Sequence, residues 1–279
     1  MRFFILFFLV LYTFNVCGLT AFYLTPYHLI DSLLKTVDQT LGFYSDHVLV
    51  FMQSHLTLNA FLWFIYKSLA LQVIFCLLII GLLGAFDSFY RFLIQLMICA
   101  SIGVGLAFFF PSLDPADTYN HINFNDAQMQ DVLLFDKLHH LLAFKTSTIN
   151  NTPIGTIGFP SFHVIFTILS TYTLKRWKGL FYPACIFSVF IILSTLSTGW
   201  HYLTDVIGGL SLACLSIALT SWLFKQFKVT TLKVAWKDTH ELTKFKSLSL
   251  QHKIEEIILD ISMSLIISAL LVITVLVAI

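Results

Sequence analysis

Residues 179–224 read GLFYPACIFSVFIILSTLSTGWHYLTDVIGGLSLACLSIALTSWLF and hold one charged side chain, Asp205. A bilayer core takes about 20 apolar residues per helix. The stretch is therefore read as two spans, about 179–199 and 203–224, hinged at Gly199-Trp200-His201-Tyr202. His201 and Asp205 lie four apart where the second span begins, so a helix there carries both on one face.

The rest of the chain repeats the apolar pattern. It is 58% hydrophobic and 11% charged, with mean hydropathy +0.86, whereas a soluble domain carries about 25% charged residues. Further spans are expected at about 2–23, 57–84, 91–111, 160–175 and 256–279. The fold class expected is all-α, a polytopic membrane bundle of six or seven transmembrane helices. The first segment, FFILFFLVLYTFNVCGLTAFYL, is long and lacks a small-x-small cleavage pattern, so an uncleaved anchor is expected rather than a signal peptide. The expected organisation is an anchor helix and extracytoplasmic segment at 1–56, a membrane domain at 57–224, a basic loop at 225–255 and a last span at 256–279. A net charge of +1 gives no sign of a nucleic-acid partner. Cysteines 17, 76, 99, 185 and 214 sit in apolar runs without CxxC or CxxH spacing, which argues against disulfides and zinc.

Lys and Arg collect on the cytoplasmic side of membrane proteins. Arg2, Arg91, the KRWK cluster at 175–178 and seven lysines in 225–255 share one side under the expected topology. Both His163 and His201 then face the non-cytoplasmic side. Loop 112–160 lies on that side too, and NDAQMQDVLLFDKLHHLLAF within it is read as an interfacial amphipathic helix capped by Asn125.

A second stretch, TIGFPSFHVIF at 156–166, puts a histidine at the mouth of another apolar segment. Pro160 suits a first helical turn, which sets Ser161 and His163 beside free backbone N–H groups that favour an anion. Asp205 can accept the proton of one His201 nitrogen and leave the other as nucleophile or base. Segment 160–174 rises only about 22 Å, so His163 is expected below the membrane surface, at the depth of a lipid headgroup. An interfacial anchor for His163 and a structural bond for the His201–Asp205 pair are the bland alternatives. Ionisable groups at membrane depth are functional candidates by default. A metal site on His121, His139 and His140 has no supporting spacing, and no metal or other cofactor is expected. The dense aspartate pattern of CDP-alcohol phosphotransferases is absent.

These stretches carry a family resemblance. GFPSFH resembles the P-S-x-H second motif of the type 2 phosphatidic acid phosphatase and haloperoxidase superfamily. Ser194, Thr195, His201 and Asp205 are similar to its third motif, S-R-x5-H-x3-D. The segment before the second motif looks like the branch that includes inositol phosphorylceramide synthase. The resemblance covers about 59–224. It implies that His201 is the nucleophile, forming a phosphohistidine, that His163 is the acid for the leaving group and that Asp205 orients His201. Two departures stand out: the K-x6-R-P first motif is missing, and Thr195 replaces the third-motif arginine. Both lost groups bind phosphate oxygens. A phosphomonoester carries nearly two negative charges and a diester one, so fewer cations fit a diester. Ser161, Thr195, Lys67 and Lys145 are the candidates for holding the phosphate. The function expected is a metal-independent, multi-pass lipid phosphotransferase of the inositolphosphotransferase type, with a lipid substrate in the bilayer and its site on the non-cytoplasmic side. A phosphatidic acid phosphatase is the alternative. A transporter or scaffold is the other, although the sequence lacks the paired, broken halves of a transporter.

Overall fold

The computed structural model describes residues 2–112, 115 and 158–226. Among these, every regular element is an α-helix: α1 Arg2–Leu24, α2 Asp31–Thr40, α3 Ser45–Ser54, α4 Leu56–Lys67, α5 Leu69–Leu82, α6 Phe86–Phe109, α7 Phe162–Thr173, α8 Lys178–Ser197 and α9 Leu203–Gln226. The all-α membrane bundle expected from the sequence is what the chain forms. The expected helix in 125–144, Lys145, loop 227–255 and the span at 256–279 lie outside the described residues.

Among the described residues, three helices are long and apolar enough to cross a membrane: α6, α8 and α9 over Leu203–Lys225. The pair α3–α4 makes a fourth candidate, bent by 115° at His55. His55 leaves helical dihedrals (φ −122°, ψ 66°), and its Nδ1 lies 2.9 Å from the carbonyl oxygen of Phe51, at the last turn of α3. The segment read as one span over 57–84 is two helices that break at Ser68, whose hydroxyl donates back to the Ile65 carbonyl. Helices α5 and α7 are shorter than a span, while α1, over the span expected at 2–23, is one helix of 23 residues. For α7 the shortness was legible: twelve residues rise only about 18 Å.

Helix α7 is the hub, packed by α5, α6, α8 and α9, while α6 also packs against α1 and α9. The core between them is aliphatic and aromatic, with Phe92, Leu93, Leu96, Ile165 and Leu169 fully or almost fully buried. Outside this layer the bundle inverts the soluble pattern. On α8, Ile186, Val189, Phe190 and Leu193 are exposed, while Ser188, Ser194, Thr195 and Ser197 are buried. Small polar residues let helix backbones approach and hydrogen-bond where the surrounding solvent is hydrocarbon. One such cluster ties three helices: Gln72 Nε2 on α5 donates to Thr171 Oγ1 on α7 (2.9 Å) and to Ser188 Oγ on α8 (3.2 Å), and the two hydroxyls lie 2.7 Å apart.

The ends of the bundle differ in charge. At the end where α7 and α9 finish, Asp87 pairs with Arg91 (3.0 Å) and Arg176 (3.5 Å), and the Arg91 guanidinium covers the Phe224 ring at 4.0 Å. His163 and His201 stand at the other end, where α7 and α9 begin.

Candidate active site

Two glycines bring the beginnings of α7 and α9 together. A Cβ on Gly209 would lie 2.5 Å from the Ser161 carbonyl oxygen, and one on Gly208 would lie 2.8 Å from the Phe159 ring. This approach lets the Ser161 N–H donate to the Asp205 carbonyl of α9 (3.0 Å). Ser161 is the N-cap of α7, in extended conformation, and its Oγ accepts the Val164 N–H at 3.5 Å. Pro160 therefore precedes the cap rather than occupying the first turn, and His163 is the second residue of the helix. Beyond α8, Gly199 adopts φ +79°, a conformation cheap only for glycine, and the chain turns there into α9.

The contact makes a mutational prediction. Gly209→Ala drives a methyl into a backbone oxygen that cannot swing away, and overpacking of this kind costs about 1–3 kcal/mol. We expect lowered thermal stability and at least tenfold lower activity. Gly208→Ala meets the edge of the Phe159 ring and, at 3.3 Å, Pro160 Cβ, both side-chain atoms, and is expected to cost less. Gly105→Ala, with open space around its Cβ, is expected to leave both unchanged. Thermal melts and turnover of the three purified variants check the order.

The result is a convergence of ionisable side chains. The His163 and His201 rings lie 5.7 Å apart, centroid to centroid. Asp205 Oδ2 is 3.5 Å from His201 Nδ1 and accepts the Tyr202 N–H at 2.8 Å. This last bond is the backward half of a capping box, from the third helical residue to the N-cap. Asp205 Oδ1 and His201 Nδ1 are buried and have no hydrogen-bond partner among the described residues. His201 is 6% exposed and Asp205 fully buried. Burial pushes the His201 imidazole down to about 4, with a hydrogen bond to the Gly158 backbone working the other way. The ring is thus neutral at physiological pH, the form with a lone pair to offer. Among the described residues, no group of three or more His, Cys, Asp or Glu converges as metal ligands.

The remaining candidates are scattered. Thr195 is fully buried and donates its hydroxyl to the Ile192 carbonyl (2.7 Å). Ser161, also fully buried, spends its N–H and hydroxyl on α9 and α7 as described. Lys67 is exposed at the end of α4, with Nζ 5.7 Å from the Trp63 ring. Its neighbour Tyr66 stacks on His163 at 4.2 Å and lies parallel to Trp200 at 6.4 Å.

Sequence reasoning missed Tyr66 and Asp38. Tyr66 lies inside an apolar run, where an aromatic ring carries no chemical signal. Asp38 is 1% exposed on α2, yet it reaches the first turn of α9 through three hydrogen bonds. Its only sequence signal is one acid on a short amphipathic helix, which reads as a solvated face.

A comparison with family models matches residues 32–219, about two thirds of the chain, to the PAP2 superfamily. The match takes in α2 and ends within α9. Neither a search of curated proteins nor one of solved structures finds a match.

Proposed function

Because the chain belongs to the PAP2 superfamily, we propose that it is an integral membrane enzyme that cleaves or transfers a lipid phosphate ester through a phosphohistidine on His201. The observation that carries the reading is the facing pair of histidines, 5.7 Å apart, with a buried carboxylate 3.5 Å from one of them. Rings this close can both reach one phosphate ester, one at phosphorus and the other at the leaving oxygen. Asp205 faces Nδ1 of His201 and holds the tautomer whose Nε2 is the nucleophile. Nε2 attacks phosphorus, and the bond to the leaving alkoxide breaks. Protonated His163 gives the alkoxide its proton. Neutral His163 then takes the proton of water or a lipid alcohol as that oxygen bonds to phosphorus, and the bond from phosphorus to His201 Nε2 breaks. No metal is called on in these steps. Membership of the family supports phosphoester chemistry at this site.

Headgroup transfer from a phosphodiester is our preferred form. The position of the third-motif arginine is held by Thr195, whose hydroxyl is spent within α8. Lys67 is the nearest candidate cation by sequence and stacking, through Tyr66, and Lys145 is proposed as the second. Ser161 is proposed to orient the His163 turn so that its backbone N–H groups meet the phosphate. With the basic residues at the opposite end of α7 and α9, the site is proposed to open on the non-cytoplasmic side.

The deciding experiment incubates purified full-length protein with mixed lipids in detergent and scores free phosphate against a new phospholipid. A new phospholipid supports transfer, and free phosphate alone favours the phosphatase alternative. If neither these nor a water-soluble phosphorylated headgroup forms, the enzymatic reading fails. Thr195→Arg adds to this test. Restoring the cation is expected to raise the rate on phosphatidic acid relative to a headgroup-bearing diester by about tenfold, one charge-assisted hydrogen bond's worth. Both rates come from one preparation, so the ratio is independent of the folded fraction.

A further inference from the structure

Asp38 comes from α2, 165 residues before Leu203, one of its partners. Its Oδ2 accepts the Leu203 N–H at 2.7 Å and its Oδ1 accepts the Thr204 N–H at 2.9 Å. The Thr204 hydroxyl donates to the same Oδ1. One carboxylate thus spans two successive N–H groups at the start of α9, which fixes both the rotation and the axial position of that turn. His201 lies two residues before the turn and Asp205 lies within it.

A helix start leaves its first N–H groups without intrahelical partners, and they attract the nearest anion. Without Asp38, the carboxylate already in that turn is Asp205, with an unpartnered Oδ1. An Asp205 drawn onto Leu203 and Thr204 turns away from His201. Extending the catalytic reading above, on which this inference rests, we propose that Asp38 is a positioning residue. It satisfies the first turn of α9 and so leaves Asp205 to the Tyr202 N–H and to His201 Nδ1. It also closes that helix start to the substrate anion, which directs the phosphate towards the His163 side of the site.

The argument makes the effect of Asp38 run through Asp205, and a double-variant cycle tests that. In full-length protein, Asp38→Asn keeps the side-chain shape but offers an amide N–H where an acceptor is needed. Its kcat per folded molecule is expected to fall about 30-fold, with KM within twofold of wild type. In an Asp205→Asn background, the same change is expected to alter kcat by less than twofold. A plain stabilising cap predicts a lower melting temperature with wild-type kcat in the folded fraction, and that result overturns the proposal. So does a full 30-fold loss in the Asp205→Asn background. Should Asp38→Asn fail to fold, Asp38→Glu is read in its place. The extra methylene displaces the turn, so kcat is expected to fall at least threefold at unchanged KM, and wild-type kcat overturns the proposal. His201→Ala is run alongside. If it retains wild-type activity, the phosphohistidine reading has failed. If it is inactive while Asp38→Asn turns over like wild type, only the role of Asp38 has failed.

Discussion

His201→Ala is expected to remove both turnover and every phosphorus–protein adduct. The change deletes the atom that bonds to phosphorus, and no other histidine among the described residues stands 3.5 Å from a buried carboxylate. Loss of an enzyme's nucleophile costs about 10⁴-fold or more in kcat. The measurement is acid-labile label on the protein after brief exposure to a lipid labelled at phosphorus, together with steady-state product. His163→Ala supplies the contrast. It deletes the proton donor and spares the nucleophile, so it is expected to keep adduct formation on a nitrophenyl ester, whose leaving group needs no acid, and to lose it on a lipid ester. An adduct in His201→Ala sinks the assignment. Because burial holds His201 near 4, its protonation is expected to slow attack only as pH falls below about 5, well under the usual histidine range.

Asp205→Asn is expected to cost about 10³- to 10⁴-fold in kcat while the protein still folds. Asp205 Oδ2 both accepts the Tyr202 N–H and faces His201 Nδ1, so an amide nitrogen in its place gives up the Tyr202 bond, while Asp38 still accepts the Leu203 and Thr204 N–H groups and the start of α9 survives. What changes is the group facing His201 Nδ1. A carboxylate accepts a proton there, whereas an amide that presents its N–H favours the tautomer protonated at Nε2, which has no lone pair to attack with. In a serine-protease triad the same replacement lowers kcat about 10⁴-fold for this reason. Circular dichroism and a thermal melt establish the fold, and turnover establishes the loss. Activity within tenfold of wild type would mean that Asp205 serves only as the cap of Tyr202.

Much of the architecture was legible because hydrocarbon imposes a simple rule on sequence. The spans α8 and α9, the turn between them at Gly199 and the short α7 after Pro160 follow from run length and two backbone-directing residues. The approach of His163 to His201 was legible in part, since each stands at the start of an apolar helix. Breaks inside apolar runs were not. His55 and Ser68 stand at the breaks, each with its side chain against a carbonyl of the preceding turn, and average hydropathy does not register either. Asp38 was hidden by distance, because a bond across 165 residues leaves no local pattern. Ser161 was read for its neighbouring N–H groups, and its cap geometry became visible only with α9 packed against it through Gly208 and Gly209.

The ring of Phe162, next to His163, has a further consequence. It lies 4.2 Å from the Phe14 ring of α1, and a Cβ on Gly103 of α6 would come within 2.6 Å of it. Three helices thus meet on one side chain adjoining a proposed catalytic residue, with no slack on the Gly103 side. Positions 14, 103 and 162 are therefore expected to drift as a single unit across relatives of this chain. Where 162 shrinks, 103 is free to gain a side chain; where 162 stays aromatic, 103 stays glycine. Compensation of that kind would appear as covariation among three sites that are scattered along the chain and carry no chemistry of their own.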